Sequence, residues 1–237
     1  MKILVTGHRG YLGSEFVKKY GNDFEVVGYD LKDGDDLLDY KNLARKMAGC
    51  EQVVHLAAIP KPVEGKSFED YFDINCRATL NVVKAAMVNG AKRVIYASST
   101  TIYGIERGIP FSTPITESQL FASQYISANE LSCRDADLAY HTSKVIAEQI
   151  LAWHGLMKKI QTVALRFGPI NKVFLGTSVS INNATQAVKL ALKSSDEFWY
   201  EPFSIVDEIA HIDISKAKTK LGYNPENPHY TQTDIHS

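Results

Sequence analysis

Tyr140 and Lys144, in the run Tyr140-His141-Thr142-Ser143-Lys144, are four residues apart and fall on one face of any helix that holds them. A free phenol titrates near ~10 and is a weak base at neutral pH. An ammonium beside it favours phenolate. The pair could then move a proton on a hydroxyl or carbonyl group while a cofactor moves hydride. Alone, such a pair is commonplace on surface helices. A second group is Ala97-Ser98-Ser99-Thr100-Thr101-Ile102-Tyr103-Gly104. Its hydroxyls could hold a substrate oxygen, with Ser99, Thr100 and Thr101 as the candidate contacts. The same composition also suits an ordinary strand-to-loop turn.

The third group is Thr6-Gly7-His8-Arg9-Gly10-Tyr11-Leu12-Gly13. Glycines at 7, 10 and 13 permit a tight turn, close backbone approach to a pyrophosphate, and close helix-strand packing. A helix opening there would offer its first amides and its positive dipole end to phosphates. Gly7, Gly10, Tyr11, Leu12 and Gly13 are therefore candidate cofactor contacts. Asp30 lies 23 residues after Gly7, near the ~20-residue spacing of an acidic residue that holds the adenosine ribose hydroxyls. A carboxylate there repels a 2′-phosphate and favours NAD over NADP, although Arg9 and Lys32 could offset that repulsion.

These groups need elements to hold them. Over the first 170 residues strand and helix patterns alternate. Strands are expected at 3–5, 24–29, 52–56, 93–97 and 162–166. Helices are expected at 11–20, 68–88 and 140–153, with glycine stops at Gly21 and Gly90. Repeated strand-helix-strand units imply a parallel sheet with helices on both faces. The three chemical groups then sit where ligands of such sheets bind, beyond the carboxyl ends of the strands. Residues 104–138 are irregular and long for a loop, so they are functional or carry short elements of their own. After Gly168-Pro169 the pattern changes: a helix over 184–192, a strand near 203–206, and a short helix capped by Ser215 and stopped by Gly222.

Composition narrows the classes. The chain has 237 residues, with 26 Lys+Arg against 27 Asp+Glu and 45% hydrophobic residues. That balance gives no general attraction to nucleic acid or anionic membrane. No apolar run approaches the ~18 residues of a membrane span. The opening Ile3-Leu4-Val5 is too short for a signal peptide. Cys50, Cys76 and Cys133 fit neither a disulfide framework nor a zinc site, and the seven histidines show no metal-binding spacing. The expectation is a cytoplasmic protein without a metal.

In order along the chain, several motifs join those already named: Asp36-Leu37, His55-Leu56-Ala57-Ala58, Asn75 with Thr79-Leu80-Asn81-Val82, Leu165-Arg166, and Asp213-Ile214-Ser215-Lys216-Ala217. Together the set resembles the extended short-chain dehydrogenase/reductase superfamily, in its NAD-dependent epimerase/dehydratase branch. The resemblance implies a Rossmann-type, doubly wound α/β sheet at 1–167 and a small, reduced C-terminal substrate lobe at 168–237. It implies that Ser99 binds the reacting oxygen, that Tyr140 is the acid/base, and that Lys144 holds the nicotinamide ribose and tunes Tyr140. Asp36 and Leu37 would contact adenine. Leu56, Ala57 and Ala58 would line the cofactor, Asn75 would steady the active-site backbone, and Phe167 and Pro169 would lie near the nicotinamide. The first expectation is an NAD-dependent epimerase or dehydratase acting on a sugar or nucleotide sugar. The alternatives are a dehydrogenase of a free sugar or uronic acid and an NAD-binding regulator without turnover. His55-Leu56-Ala57-Ala58-Ile59-Pro60 followed by Pro62-Val63 is similar to uronate dehydrogenases. Three departures stand out. Only six positions separate Asp30 from Asp36, so the family's usual third strand is clipped or missing. Forty residues separate Ser99 from Tyr140. The segment 180–183 lacks the family's common Asp. The helices at 68–88 and 140–153 resemble the pair through which this family forms homodimers.

Overall fold

In a computed structural model, the described residues are 1–104, 113–121, 124, 134–173, 177–207 and 211–226. Short apolar runs become strands: β1 (Lys2–Thr6), β2 (Glu25–Tyr29), β3 (Gln52–His55), β4 (Arg93–Ser99), β5 (Gln161–Phe167) and β6 (Glu201–Ile205). They make a six-stranded parallel sheet in the order β2-β1-β3-β4-β5-β6. Ile3 pairs with Val26 on one side and Gln52 on the other, and Gln52 pairs in turn with Arg93. The order therefore reverses at β1. A crevice opens at such a point, beyond the carboxyl ends of β1 and β3.

The helices are α1 (Tyr11–Tyr20), α2 (Tyr40–Lys46), α3 (Phe68–Tyr71), α4 (Ala78–Val88), α5 (Asp135–Leu156), α6 (Ile181–Lys193) and α7 (Ser215–Leu221). A π-helical segment, Phe72–Arg77, joins α3 to α4, so the expected single helix is continuous but changes its winding. Gly90, at φ 71°, ends it as the sequence indicates. Ser67 and Asp70 cap it reciprocally at the start. Between β2 and Asp36 there is a single 3-10 turn, Leu31–Asp33, and no strand, in line with the clipped third strand.

Several boundaries differ from the sequence reading. α6 starts at Ile181 rather than 184, capped by Ser180, whose Oγ accepts the Asn183 amide. α5 begins at Asp135 rather than near 140, because Asp135 and Asp137 suit a first turn and Arg134 Nε pairs with Asp137 Oδ2 at 2.7 Å. Ser215 is the first residue of α7, not its cap. Asp213 Oδ1 accepts the Ser215 amide at 2.7 Å instead.

The chain forms two compact units. The first holds residues 1–97, 134–164 and 195–201; the second holds the described residues of 98–133, 165–194 and 202–237. In the first, Leu4, Val53 and Val94 of the sheet pack with Leu43, Val82, Ala86, Ala147 and Leu151 of the helices. In the second, residues of the long irregular stretch are stitched down. Ile115 bridges Ile212, and Glu117 Oε1 accepts the Ser204 amide at 2.7 Å. Among the described residues no helix is long and apolar enough to cross a membrane. Cys50 and Cys76 are buried free thiols, and Cys133 lies outside the described residues.

Candidate active site

The glycine turn comes first, since its geometry leaves no choice of residue. Gly7 has φ +70° and would place a Cβ 2.7 Å from the Ala57 nitrogen. A Cβ on Gly13 would collide with the Gly7 carbonyl, which itself accepts the Gly10 amide at 2.9 Å. β1, the turn and the Ala57 backbone are thus in contact with no side chain between them. Gly10 caps α1 without any side-chain hydrogen bond. The first-turn amides of a helix lack intrahelical acceptors, so this bare N-terminus, with Tyr11, Leu12 and Gly13, fits a pyrophosphate. At the end of β2, Asp30 accepts the Arg9 amide at 2.9 Å and the Lys32 amide at 3.0 Å. Asp36 Oδ1 accepts the Leu38 amide at 2.8 Å on the surface, whereas Leu37 is buried in the core.

The sheet register then builds a polar chain that the sequence reading did not assemble. It sets Thr6 beside His55. The Ala57 amide donates to Thr6 Oγ1 at 3.3 Å, and Thr6 Oγ1 lies 2.7 Å from His55 Nδ1. On the other side, His55 Nε2 lies 3.0 Å from Thr79 Oγ1, which donates to the Asn75 carbonyl at 2.6 Å. Thr79 spends its one proton on that carbonyl, so it accepts from Nε2–H. Nδ1 therefore accepts from Thr6, and the tautomer is fixed. Burial, with the nearby Lys144 charge, pushes His55 down to about 3, so it stays neutral.

Asn75 continues the bracing. Its Oδ1 accepts the Ile59 amide at 2.8 Å; its Nδ2 donates to the Ile59 carbonyl at 3.2 Å and to Ser143 Oγ at 2.8 Å. Ser143 Oγ donates to the Tyr140 carbonyl at 2.7 Å. Asn75 and Ser143 thereby fix the turn of α5 that carries Tyr140. The Tyr140 ring meets Tyr71 edge-on, with centroids 6.3 Å apart. One turn on, Lys144 is 3% exposed. Its Nζ donates to the Ala97 carbonyl at 2.9 Å and lies 5.0 Å from the centre of the Tyr96 ring. Burial draws its pKa down to about 8, against the opposing pull of Cys76 and Glu148. The first unit therefore brings together the glycine turn, Asp30, Leu56, Ala57, Ala58, Asn75, Tyr140 and Lys144.

Asp36 and Leu37 belong to the first unit as well, whereas Ser99, Thr100, Thr101, Phe167 and Pro169 lie in the second. Ser99 ends β4, and its Oγ accepts the Thr101 amide at 3.2 Å to open a 3-10 turn, Thr100–Tyr103. Thr101 Oγ1 is buried without a hydrogen-bond partner among the described residues. Phe167 ends β5, and the Pro169 carbonyl accepts the Val179 amide at 3.0 Å. Nearby, buried Arg166 donates to Tyr103 Oη at 3.0 Å and to the Glu117 carbonyl at 3.1 Å. Ser180 and Asn183, in the segment without the family's common Asp, both donate to buried Asp207, Asn183 Nδ2 at 2.6 Å. Among the described residues no cluster of His, Cys, Asp and Glu could hold a metal ion.

The model of the NAD dependent epimerase/dehydratase family matches residues 3–170. Uronate dehydrogenase of Pseudomonas syringae pv. tomato is 24% identical over 95% of this chain and 82% of that protein. N-acetyl-alpha-D-glucosaminyl-diphospho-ditrans,octacis-undecaprenol 4-epimerase of Escherichia coli O157:H7 is 30% identical, over 46% of this chain and 35% of that one. Among solved structures, the UDP-glucuronic acid 4-epimerase of Bacillus cereus in complex with NAD superposes with a TM-score of 0.77. It is 21% identical, covering 97% of this chain and 95% of that one. At that identity the likeness speaks for the fold.

Proposed function

The chain belongs to the NAD-dependent epimerase/dehydratase family, and from that premise we propose that it oxidises a hydroxyl of a free sugar or uronic acid. The observation that carries the chemistry is Lys144, buried one turn from Tyr140 on a helix braced by Asn75 and Ser143. Bound NAD supplies the hydride acceptor. Ser99 holds the substrate oxygen. Tyr140 takes its proton as the carbon is oxidised, and the Lys144 ammonium favours the phenolate that can do so. The glycine turn, Asp30 and Leu56–Ala58 hold the dinucleotide, and Asp36 and Leu37 flank the adenine. Phe167 and Pro169 border the nicotinamide, and Thr100 and Thr101 contact the sugar. In this reading residues 1–167 hold the cofactor and 168–237 shape the sugar pocket. The protein works as a cytoplasmic homodimer through α4 and α5, with no nucleic-acid partner.

Free sugar is favoured over nucleotide sugar because the alignment to the uronate dehydrogenase runs along 95% of the chain, against 47–70% for UDP-glucose 4-epimerases. An epimerase reading keeps the same residues and returns hydride to the opposite face. The deciding experiment is a panel of free sugars, uronates and nucleotide sugars, with products identified by mass spectrometry. NADH formation with free uronates or aldoses supports the proposal. An epimerised nucleotide sugar without net NADH would replace it. NAD retention without any turnover would favour a regulator. Tyr140→Phe is expected to lower kcat about 10²–10⁴-fold with NAD affinity kept. Full activity in that variant would sink the assigned mechanism.

A further inference from the structure

The corner beside Asp30 carries more charge than holding two ribose hydroxyls requires. Arg9 donates its amide to Asp30, but its guanidinium turns to a different carboxylate: Arg9 Nε lies 2.7 Å from Asp33 Oδ1. His8 Nε2 lies 3.2 Å from the other oxygen, Asp33 Oδ2. The His8 ring is itself fixed, because it fills the place where a Cβ on Gly28 would stand, 2.6 Å from its Nε2. On the far side, Lys32 Nζ donates to the Arg9 carbonyl at 3.2 Å while the Lys32 amide holds Asp30. Two cations and two carboxylates therefore share one turn-and-strand corner. Arg9, whose amide already holds Asp30, has its guanidinium engaged by a second carboxylate that the strand-end position of Asp30 does not explain.

We propose that Asp33 makes this site selective against a 2′-phosphate, by occupying the Arg9 guanidinium that would otherwise bind it. This rests on the dinucleotide reading above. With the Arg9–Asp33 pair closed, a 2′-phosphate meets the Asp30 carboxylate and finds Arg9 already engaged. With the pair removed, Arg9 and Lys32 present two charge-assisted donors to the phosphate, and the corner gains a net positive charge. The ligand admitted is the 2′-phosphorylated dinucleotide, NADP.

The test is isothermal titration calorimetry of NAD and of NADP, without sugar, on the wild type, Asp33→Asn, Asp33→Ser and Arg9→Ala/Asp33→Asn. The quantity read is the ratio of the two affinities. Both single variants are expected to shift that ratio toward NADP by about tenfold. The double variant is expected to lose that gain. A ratio unchanged in both single variants, or a gain that survives loss of Arg9, would overturn the role of Asp33 alone. A wild type that binds neither dinucleotide would overturn the cofactor reading, and this proposal with it.

Discussion

Lys144 holds a charge where the protein would be more stable without one. Its ammonium is buried with the Ala97 carbonyl as hydrogen-bond acceptor, and burial lowers its pKa from 10.5 to about 8. Below pH 8 the folded chain carries that charge reluctantly, while the unfolded chain carries it freely. Between about 8 and 10.5 the native state sheds the proton first, so this residue's contribution to stability rises with pH across that window. Lys144→Met is therefore expected to raise stability at pH 7 by up to about 3 kcal/mol while abolishing turnover. The stability gain should shrink as pH approaches 10. Urea denaturation of both proteins at pH 7 and pH 9.5 checks it; an equal or lower stability at pH 7 would contradict the account. The Tyr140–Lys144 spacing was readable from sequence because four residues on a helix suffice to define it. The His55 chain was not, because Thr6, His55 and Thr79 are 49 and 24 residues apart and meet only through strand register and helix packing.

At the scale of elements, the apolar strands and the glycine stops were legible because each is written in a few adjacent residues. The start of α5 was not. Its first turn is polar and draws on an ion pair from Arg134 rather than on apolar spacing. The π winding of Phe72–Arg77 was equally hidden, since the six residues Phe72-Asp73-Ile74-Asn75-Cys76-Arg77 are too few for their mixed apolar and polar pattern to tell one winding from the other. Element packing makes its own prediction at Gly155, in the last turn of α5. A Cβ there would collide with the Trp199 carbonyl and stand 2.5 Å from Thr162 Oγ1. Gly155→Ala is expected to cost about 1–3 kcal/mol while leaving the NAD affinity of the remaining folded protein nearly unchanged, as thermal melts and calorimetry would register. Gly13→Ala, whose Cβ meets the Gly7 carbonyl, should damage both properties. Equal loss of NAD binding in the two variants would refute the separation.

For the whole molecule, the proposed homodimer requires apolar surface on the outer faces of α4 and α5. Val88, Leu138, Trp153 and Leu156 are exposed there, between 54% and 75%. Light scattering is expected to return twice the 26.4 kDa chain mass, and Trp153→Glu to lower the dimer fraction. A monomer at micromolar concentration would remove that part of the reading. The two compact units have a consequence of a different kind. Each is assembled from three separate stretches of sequence, so the backbone passes from one to the other five times. Neither can be released by a single protease cut or expressed as a contiguous fragment. Nor can either be exchanged as a cassette with a relative's. Substrate preference in this chain has to be re-engineered position by position.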